Sequence, residues 1–279
     1  MPIYDQSYRP YRGHLSSHAM RWWTITRTGL MHLFSKKIFL VLITMTFFYP
    51  VVAGFQIYFV HQFPEQNLVT INAEFFRMTM EIQLLWFLVL GIYPGTGLIS
   101  NDLRWNAIQL YLSKPLTKLD YIAGKLAIIG IFLLGVSLVP GLLLFGLQLG
   151  FSSDTKFLTS FWWIPFSVIG YSVSASFAWG MIVLALSSLS KNSRYVGILL
   201  IALVFASGGM ALFFWGITDA EGVIIISVID ELKQLSYLFF GGQGAFGNHG
   251  FAAAITLVFL MGVCAATLRR RVRAVEVVK

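Results

Sequence analysis

Residues 99–125 read ISNDLRWNAIQLYLSKPLTKLDYIAGK, a polar stretch between two long apolar segments. Only 11% of the whole chain is charged. The charged residues of this stretch are Asp102, Arg104, Lys114, Lys118, Asp120 and Lys125. Asn101 can cap a short helix with Asp102 in its first turn, and Pro115 ends that helix because proline disfavours the helical conformation in the residue before it. The stretch therefore predicts a short helix in a loop that joins two membrane segments.

On a helical wheel this predicted helix has two apolar stripes and one narrow polar arc. The first stripe contains Leu103, Ala107, Leu110 and Tyr111, and the second contains Trp105, Ile108 and Leu112. A helix on the surface of a single protein needs one apolar stripe, so two stripes favour burial on two sides, one against this chain and one against a partner. A lipid-facing helix, with its Trp and Tyr among the headgroups, explains the wheel equally well.

The composition outside this stretch is that of a polytopic membrane protein. The 279 residues are 57% hydrophobic with a mean hydropathy of +0.75, whereas soluble domains are about 25% charged. A membrane-spanning helix needs about 20 apolar residues, and six segments qualify. They are residues 38–60, 82–100, 122–149, 161–189, 195–217 and 250–268. Prolines 50, 94, 140 and 165 predict kinks in four of them. The predicted fold class is an all-α membrane protein with six transmembrane helices.

The distribution of charge predicts the topology. If the amino terminus is cytosolic, seventeen of the twenty Lys and Arg residues fall on the cytosolic side, and only Arg77, Lys156 and Lys233 fall outside. Eight of the twelve acidic residues fall on the exterior side. Basic residues concentrate in cytosolic loops, so both termini are predicted to be cytosolic. The net charge of +8 then reflects topology and contact with anionic lipids, and nucleic acid is not expected as a partner.

Two further segments have amphipathic patterns outside the six spans. Residues 17–36 predict a helix lying in the membrane interface, weakened by Gly29, after a cytosolic lead-in over residues 1–15. Residues 222–240 predict an external interfacial or re-entrant helix whose polar face holds Asp230, Glu231, Lys233 and Gln234. A flexible glycine-rich run follows at residues 241–247. This external helix is either a lid over the bundle or a substrate gate.

The chain lacks the usual chemistry of pumps and enzymes. No ionisable residue lies in the middle of a predicted span, which disfavours an ion-coupled secondary transporter or a channel. Gly124-Lys125 lacks the remaining residues of a phosphate loop, so Lys125 is expected to snorkel at the membrane edge. The single cysteine, Cys264, allows no internal disulfide or cysteine metal site. The histidines are scattered and common hydrolase motifs are missing, so the chain is not expected to be an enzyme or to bind a metal or cofactor.

Mild polar groups within the spans are candidates for a pathway or gate. These are Tyr171, Ser172 and Ser174 in the fourth segment, and Ser207 and Gly208 in the fifth. Paired glycines at 208 and 209 loosen a helix, so this position is the predicted weak point of the fifth segment. Serines at this spacing also occur simply as helix-packing residues, and the pattern does not separate the two roles.

Residues 97–126 resemble the permease subunits of ABC-2-type transporters. The residues that carry the resemblance are Asn-Ala-Ile-Gln-Leu-Tyr-Leu at 106–112, Ser-Lys-Pro at 113–115, Leu-Asp-Tyr at 119–121 and Gly-Lys at 124–125. The resemblance implies that the polar stretch is a coupling helix that enters a groove of a separate ATPase. The implied docking residues are Asp102, Leu103, Arg104, Trp105, Ile108 and Leu112.

The same resemblance implies the rest of the assembly. Residues 1–37 would be the lead-in and an elbow helix, and residues 38–279 the six-helix domain. The implied partners are two copies of an ATPase, which bind ATP and Mg²⁺, and a second permease copy, identical or related. The implied place is the plasma membrane, the inner membrane in a bacterium, and the implied activity is export or flopping of an amphiphile. A membrane scaffold that recruits a cytosolic partner without transport is the alternative from another class, and a secondary transporter or an embedded enzyme ranks lower.

Overall fold

The computed structural model describes residues 20–63, 70–113, 116–152, 156–242 and 249–272, and this part of the chain is helical with no strand. The α-helices in chain order are α1 (Arg21–Phe34), α2 (Lys37–Thr46), α3 (Phe48–Gln62), α4 (Ala73–Leu90), α5 (Gly97–Arg104), α6 (Ala107–Leu112), α7 (Lys118–Phe151), α8 (Lys156–Phe161), α9 (Ile164–Ser187), α10 (Ser193–Thr218), α11 (Val228–Phe240) and α12 (Gly250–Arg271). A π-helical turn, Gly91–Gly95, joins α4 to α5, and a 3₁₀ helix, Glu221–Ile226, precedes α11.

Six helical segments are long and apolar enough to span a membrane, which confirms the predicted number of spans. They are TM1 (Lys37–Gln62), TM2 (Ala73–Arg104), TM3 (Lys118–Phe151), TM4 (Phe157–Ser187), TM5 (Ser193–Thr218) and TM6 (Gly250–Arg271). TM2 begins nine residues before the predicted segment because its charged first turns pair with one another. Arg77 forms ion pairs with Glu74 and Glu81 one turn away on either side, and Asn72 caps the helix.

Contacts between helix ends distinguish the two ends of the bundle. Ser187, the last residue of TM4, bonds to the last turns of TM2, while His61 at the end of TM1 lies 3.1 Å from Gln148 at the end of TM3. The end of the bundle where TM2 ends and TM3 begins is called the terminal face here, because TM1 also starts and TM6 also ends there. The other end is called the opposite face.

Prolines act differently in the different spans. Pro50 lies in the first turn after the break between α2 and α3, and its missing N–H frees the Thr46 carbonyl. Gln83 of TM2 lies with its side-chain nitrogen 3.4 Å from that carbonyl, so a neighbouring span supplies the lost donor. Pro165 lies in the first turn of α9, where it disrupts no helical bond, and α7 runs through Pro140 without interruption.

TM2 is interrupted at Pro94 and is held together there by TM4. The helix that resumes after the π-helical turn begins with N–H groups that lack partners within the helix. Ser187 accepts a hydrogen bond from one of them, that of Ile99 at 3.1 Å, and another from the neighbouring Ser100 N–H at 3.0 Å. The same hydroxyl donates to the Thr96 carbonyl at 2.6 Å. One TM4 side chain therefore caps the second half of TM2.

Helix α1 packs tightly against the start of TM3. The Thr26 hydroxyl lies 3.1 Å from the Gly124 carbonyl, and Ile25 is buried beside it. Gly29, which the sequence predicts to weaken the helix, lies against Ile128, and a methyl group at Gly29 would come within 2.2 Å of that side chain. The glycine therefore permits the close approach of α1 to TM3, which the wheel for an isolated interfacial helix does not reveal.

Helix α11 is buried on more sides than its sequence pattern predicts. It packs against TM2, TM4, TM5 and TM6, and Glu231 and Gln234 of its predicted polar face are buried. Gln234 accepts a hydrogen bond from the His249 N–H at 3.0 Å, which compensates its burial at the TM6 boundary. The predicted lead-in over residues 1–15 and most of the glycine run after Gly242 lie outside the described residues.

Candidate functional site

The predicted coupling helix is two helices in the structure. TM2 continues as α5 to Arg104, so Asn101 lies inside a helix and its predicted role as an N-cap is wrong. Asn106 then adopts a left-handed conformation, with φ of 54°, and α6 begins after it. Asparagine tolerates this conformation better than most residues, which explains a break at this position. The connection over residues 102–113, which contains the predicted docking residues, is called the docking segment below.

A buried ion pair fastens the docking segment to TM3. Lys125 Nζ lies 2.7 Å from Asp102 Oδ2, and the Tyr121 hydroxyl donates to the same oxygen at 2.7 Å. The side chains of Lys125 and Asp102 are only 9% and 16% exposed. The prediction that Lys125 snorkels at the membrane edge is therefore wrong, because Asp102 provides a counter-charge inside the protein.

Aromatic rings enclose this ion pair. The Tyr111 and Tyr121 ring centroids are 5.3 Å apart, and the Lys125 ammonium lies 5.7 Å and 5.6 Å from them. Burial, followed by the negative charge of Asp102, raises the pKa of the Tyr111 hydroxyl above its usual value. The cluster joins α5, α6 and TM3 through charge, hydrogen bonding and ring contact in one place.

The outer side of the docking segment exposes two large apolar side chains among polar ones. Trp105 is 73% exposed and Leu110 is 69% exposed, whereas Ile108 is 4% exposed and packs into the core. Arg104 is exposed beside Trp105, its guanidinium 5.2 Å from the indole ring, and Leu103 is half-buried. Leu112 ends α6, and its side chain lies outside the described part. The break at Asn106 reorients α6, so residues assigned to one stripe of a straight helix lie on different sides.

The predicted pathway residues of TM4 are largely interior. Tyr171 and Ser172 are buried, Ser174 is half-buried, and the Tyr171 ring lies 6.4 Å and 6.3 Å from Phe239 and Phe240. The hydroxyls of Tyr171 and Ser172 have no hydrogen-bond partner within the described ranges. Buried hydroxyls usually have partners, so this region of TM4 has unused hydrogen-bonding capacity.

The predicted TM5 residues contact the beginning of α11. Ser207 accepts a hydrogen bond from the Val228 N–H at 3.3 Å, and a methyl group at Gly208 would lie 3.7 Å from the Ser227 hydroxyl. The Tyr171 contacts are at the end of the same helix, about 18 Å away at 1.5 Å per residue. The structure therefore brings the TM4 and TM5 residues to one helix but does not gather them into one site.

A charged cluster on the opposite face is a feature that the sequence interpretation missed. Arg77 is buried, pairs with Glu74 and Glu81, and lies 4.3 Å above the Tyr237 ring of α11. The Ser236 hydroxyl lies 2.7 Å from Glu81 Oε1. The spacing of the three charged TM2 residues could have indicated this cluster from the sequence, because side chains three and four residues apart meet on a helix.

No model of a known protein family matches the chain, and no curated protein matches it. No group of three or more His, Cys, Asp or Glu residues in the described ranges is arranged to hold a metal ion.

Proposed function

We propose that this chain is the permease subunit of an ABC-2-type transporter, which exports or flops an amphiphilic molecule when a separate ATPase hydrolyses ATP. The observation that carries the proposal is the docking segment. Its inner side is fastened to the bundle through Asp102 and Ile108, and its outer side exposes Trp105 and Leu110. Exposed aromatic residues on a firmly held support are typical of the central contacts of protein interfaces.

The attachments of the docking segment suggest how a movement of the ATPase would reach the membrane. Its first residues are the last turn of TM2, the Asp102–Lys125 pair joins it to TM3, and Ser187 joins TM2 to TM4. A displacement of the segment would therefore move the ends of three spans together. In this proposal the terminal face is cytosolic, two ATPase subunits bind ATP and Mg²⁺, and a second permease copy completes the pathway in a plasma membrane.

The proposed cargo is amphiphilic. A strongly charged solute would lose its hydration and find no fixed counter-charge in the middle of the spans, which costs several kcal/mol. An amphiphile can keep its tail against apolar walls while its head passes hydroxyl groups such as those of Tyr171 and Ser172. Export or flopping, rather than uptake, is what the sequence resemblance implies.

Docking can be tested with two tryptophans of similar exposure on opposite faces. Trp105→Ala should weaken binding of the ATPase by about 1 to 4 kcal/mol, because a large aromatic side chain can dominate an interface. Trp162 is 61% exposed near the start of TM4, and Trp162→Ala should leave binding unchanged. The measurement is co-purification and titration with an ABC ATPase from the same organism. Equal affinity of the two variants for the ATPase would reject the hypothesis that the docking segment binds it.

Transport separates the proposal from a membrane scaffold. Vesicles containing both proteins should hydrolyse ATP faster when an amphiphile is added, and the amphiphile should change leaflet in an ATP-dependent manner. A scaffold would bind the ATPase without either effect. Movement of small inorganic ions instead of amphiphiles would refute the proposed cargo.

A further inference from the structure

A groove of about 520 Å³ lies between TM2 and α11 on the opposite-face half of the bundle. Its apolar walls include Met78, Ile82, Leu85 and Leu88 of TM2, and its two charged lining residues are Glu81 of TM2 and Lys233 of α11. Met78, Ile82 and Leu85 are exposed, so the groove is open along the outer side of a spanning helix.

The charged residues and the apolar walls are at different depths. Residues 82–100 form the apolar stretch of TM2, and Glu81 lies ten residues from its middle, which is about 15 Å along the helix. That distance is half of the roughly 30 Å hydrocarbon core, so Glu81 is at the level where headgroups meet acyl chains. Leu88 is about 10 Å deeper along the same helix. The groove therefore has a charged end at headgroup level and an apolar end within the hydrocarbon.

Both charged side chains are ion-paired within the protein and can still attract an opposite charge on a ligand. Within the described residues, Arg77 and Ser236 both bond to Glu81 Oε1, so no hydrogen bond to Oε2 is formed there and its negative charge can attract a cationic group. Lys233 Nζ donates to Asp230 Oδ1 at 2.9 Å, and an ammonium has three donors. Arg77 offsets the charge of Glu81 and Asp230 offsets that of Lys233, so neither a lone anion nor a lone cation is strongly favoured. A headgroup with both charges satisfies the two side chains together.

We propose that this groove binds a zwitterionic phospholipid of the surrounding bilayer, its cationic group against Glu81, its phosphate against Lys233 and one acyl chain along Ile82, Leu85 and Leu88. The bilayer is the source because the exposed wall belongs to a spanning helix and opens sideways. The inference rests on the proposed function in one respect: the bound lipid is taken to belong to the class of molecule that the transporter moves. Binding itself requires no ATPase.

The test is native mass spectrometry of the full chain purified in detergent. Phosphatidylcholine, phosphatidylglycerol and a trimethylammonium lipid with the same acyl chains are added in equal amounts. Wild type should retain phosphatidylcholine above the other two. Lys233→Glu should reduce phosphatidylcholine binding about tenfold, the effect of losing one charge-assisted hydrogen bond, and should favour the cationic lipid. Lys191→Glu, an exposed charge reversal on the terminal face, is the control and should change nothing.

A second variant leaves the ion pairs intact. Leu85→Trp fills the apolar part of the groove at an exposed position and should also reduce phosphatidylcholine binding, whereas Leu212→Trp at an exposed TM5 position should not. Equal retention of the three lipids by wild type would contradict the proposed lipid site. Equal binding of phosphatidylcholine by the two tryptophan variants would contradict it as well. If lipid selectivity is absent while ATP-driven transport occurs, only this site is rejected. If selectivity is present without any ATPase coupling, the proposed function is rejected and the site remains.

Discussion

Replacing Lys125 with methionine should destabilise the protein, because it leaves the Asp102 carboxylate buried without its cation. Breaking a buried ion pair from one side costs about 3 to 5 kcal/mol. Asp102 keeps some exposure, at 16%, and retains the Tyr121 hydroxyl, so we expect a loss of about 2 to 3 kcal/mol. Methionine preserves most of the aliphatic length of lysine, so the change in packing is small.

The double variant isolates the ion pair from other effects of the substitution. Asp102→Asn removes the charge and keeps an oxygen for Tyr121. Combined with Lys125→Met, it should be less destabilising than the sum of the two single changes, with a coupling energy of about 1 to 2 kcal/mol. The assay is reversible unfolding in mixed detergent micelles by added SDS, followed by tryptophan fluorescence. Lys118→Met, an exposed residue in the first turn of the same helix, is the control. If Lys125→Met is no more destabilising than Lys118→Met, the ion pair does not fasten the docking segment.

The remaining predictions concern transport, pH and topology. Gly208→Leu should reduce transport while ATPase binding persists, because it stiffens TM5 and presses against the start of α11. Gly209→Leu stiffens TM5 equally but has open space around it, so it should reduce transport less. Equal transport by the two variants would exclude the contact with α11 as a cause. Burial raises the pKa of Glu231 to about 7, so the protonated form is favoured in the folded state, and the free energy of unfolding should fall as pH rises from about 4.5 to 7. Glu231→Gln should abolish that slope, and an unchanged slope would exclude Glu231 as its source. Reporters within 101–118 and at the carboxyl end should be cytosolic and one within 62–78 external; the opposite labelling would refute the topology.

The six spans could be predicted from the sequence because twenty apolar residues are a sufficient signal without any tertiary information. The start of TM2 could not be placed by hydropathy, since Glu74, Arg77 and Glu81 satisfy one another within the helix. The amphipathic pattern of residues 222–240 also did not predict that Glu231 is buried. A helical wheel assumes one covered side, and α11 has four neighbouring spans.

The docking segment shows a different limit of sequence reasoning. Its position and its exposed Trp105 were expected, but the wheel treated residues 102–113 as one straight helix. A single left-handed residue, Asn106, invalidates that assumption, and it places Ile108 in the core and Leu110 on the surface. The contact between Lys125 and Asp102 was likewise beyond the pattern, because it depends on how two helices meet.

The hydrogen bonds of the Ser187 hydroxyl predict that TM2 and TM4 change together in evolution. Because Pro94 interrupts TM2 and the capping group comes from TM4, neither residue is free to change alone. A chain that lost the hydroxyl would leave the buried Ile99 N–H unpaired unless TM2 also became a continuous helix. Among homologues of this sequence, those with proline at 94 should therefore have serine or threonine at 187. Homologues without proline at 94 should tolerate small apolar residues at 187. That pairing would be visible as covariation between two positions 93 residues apart.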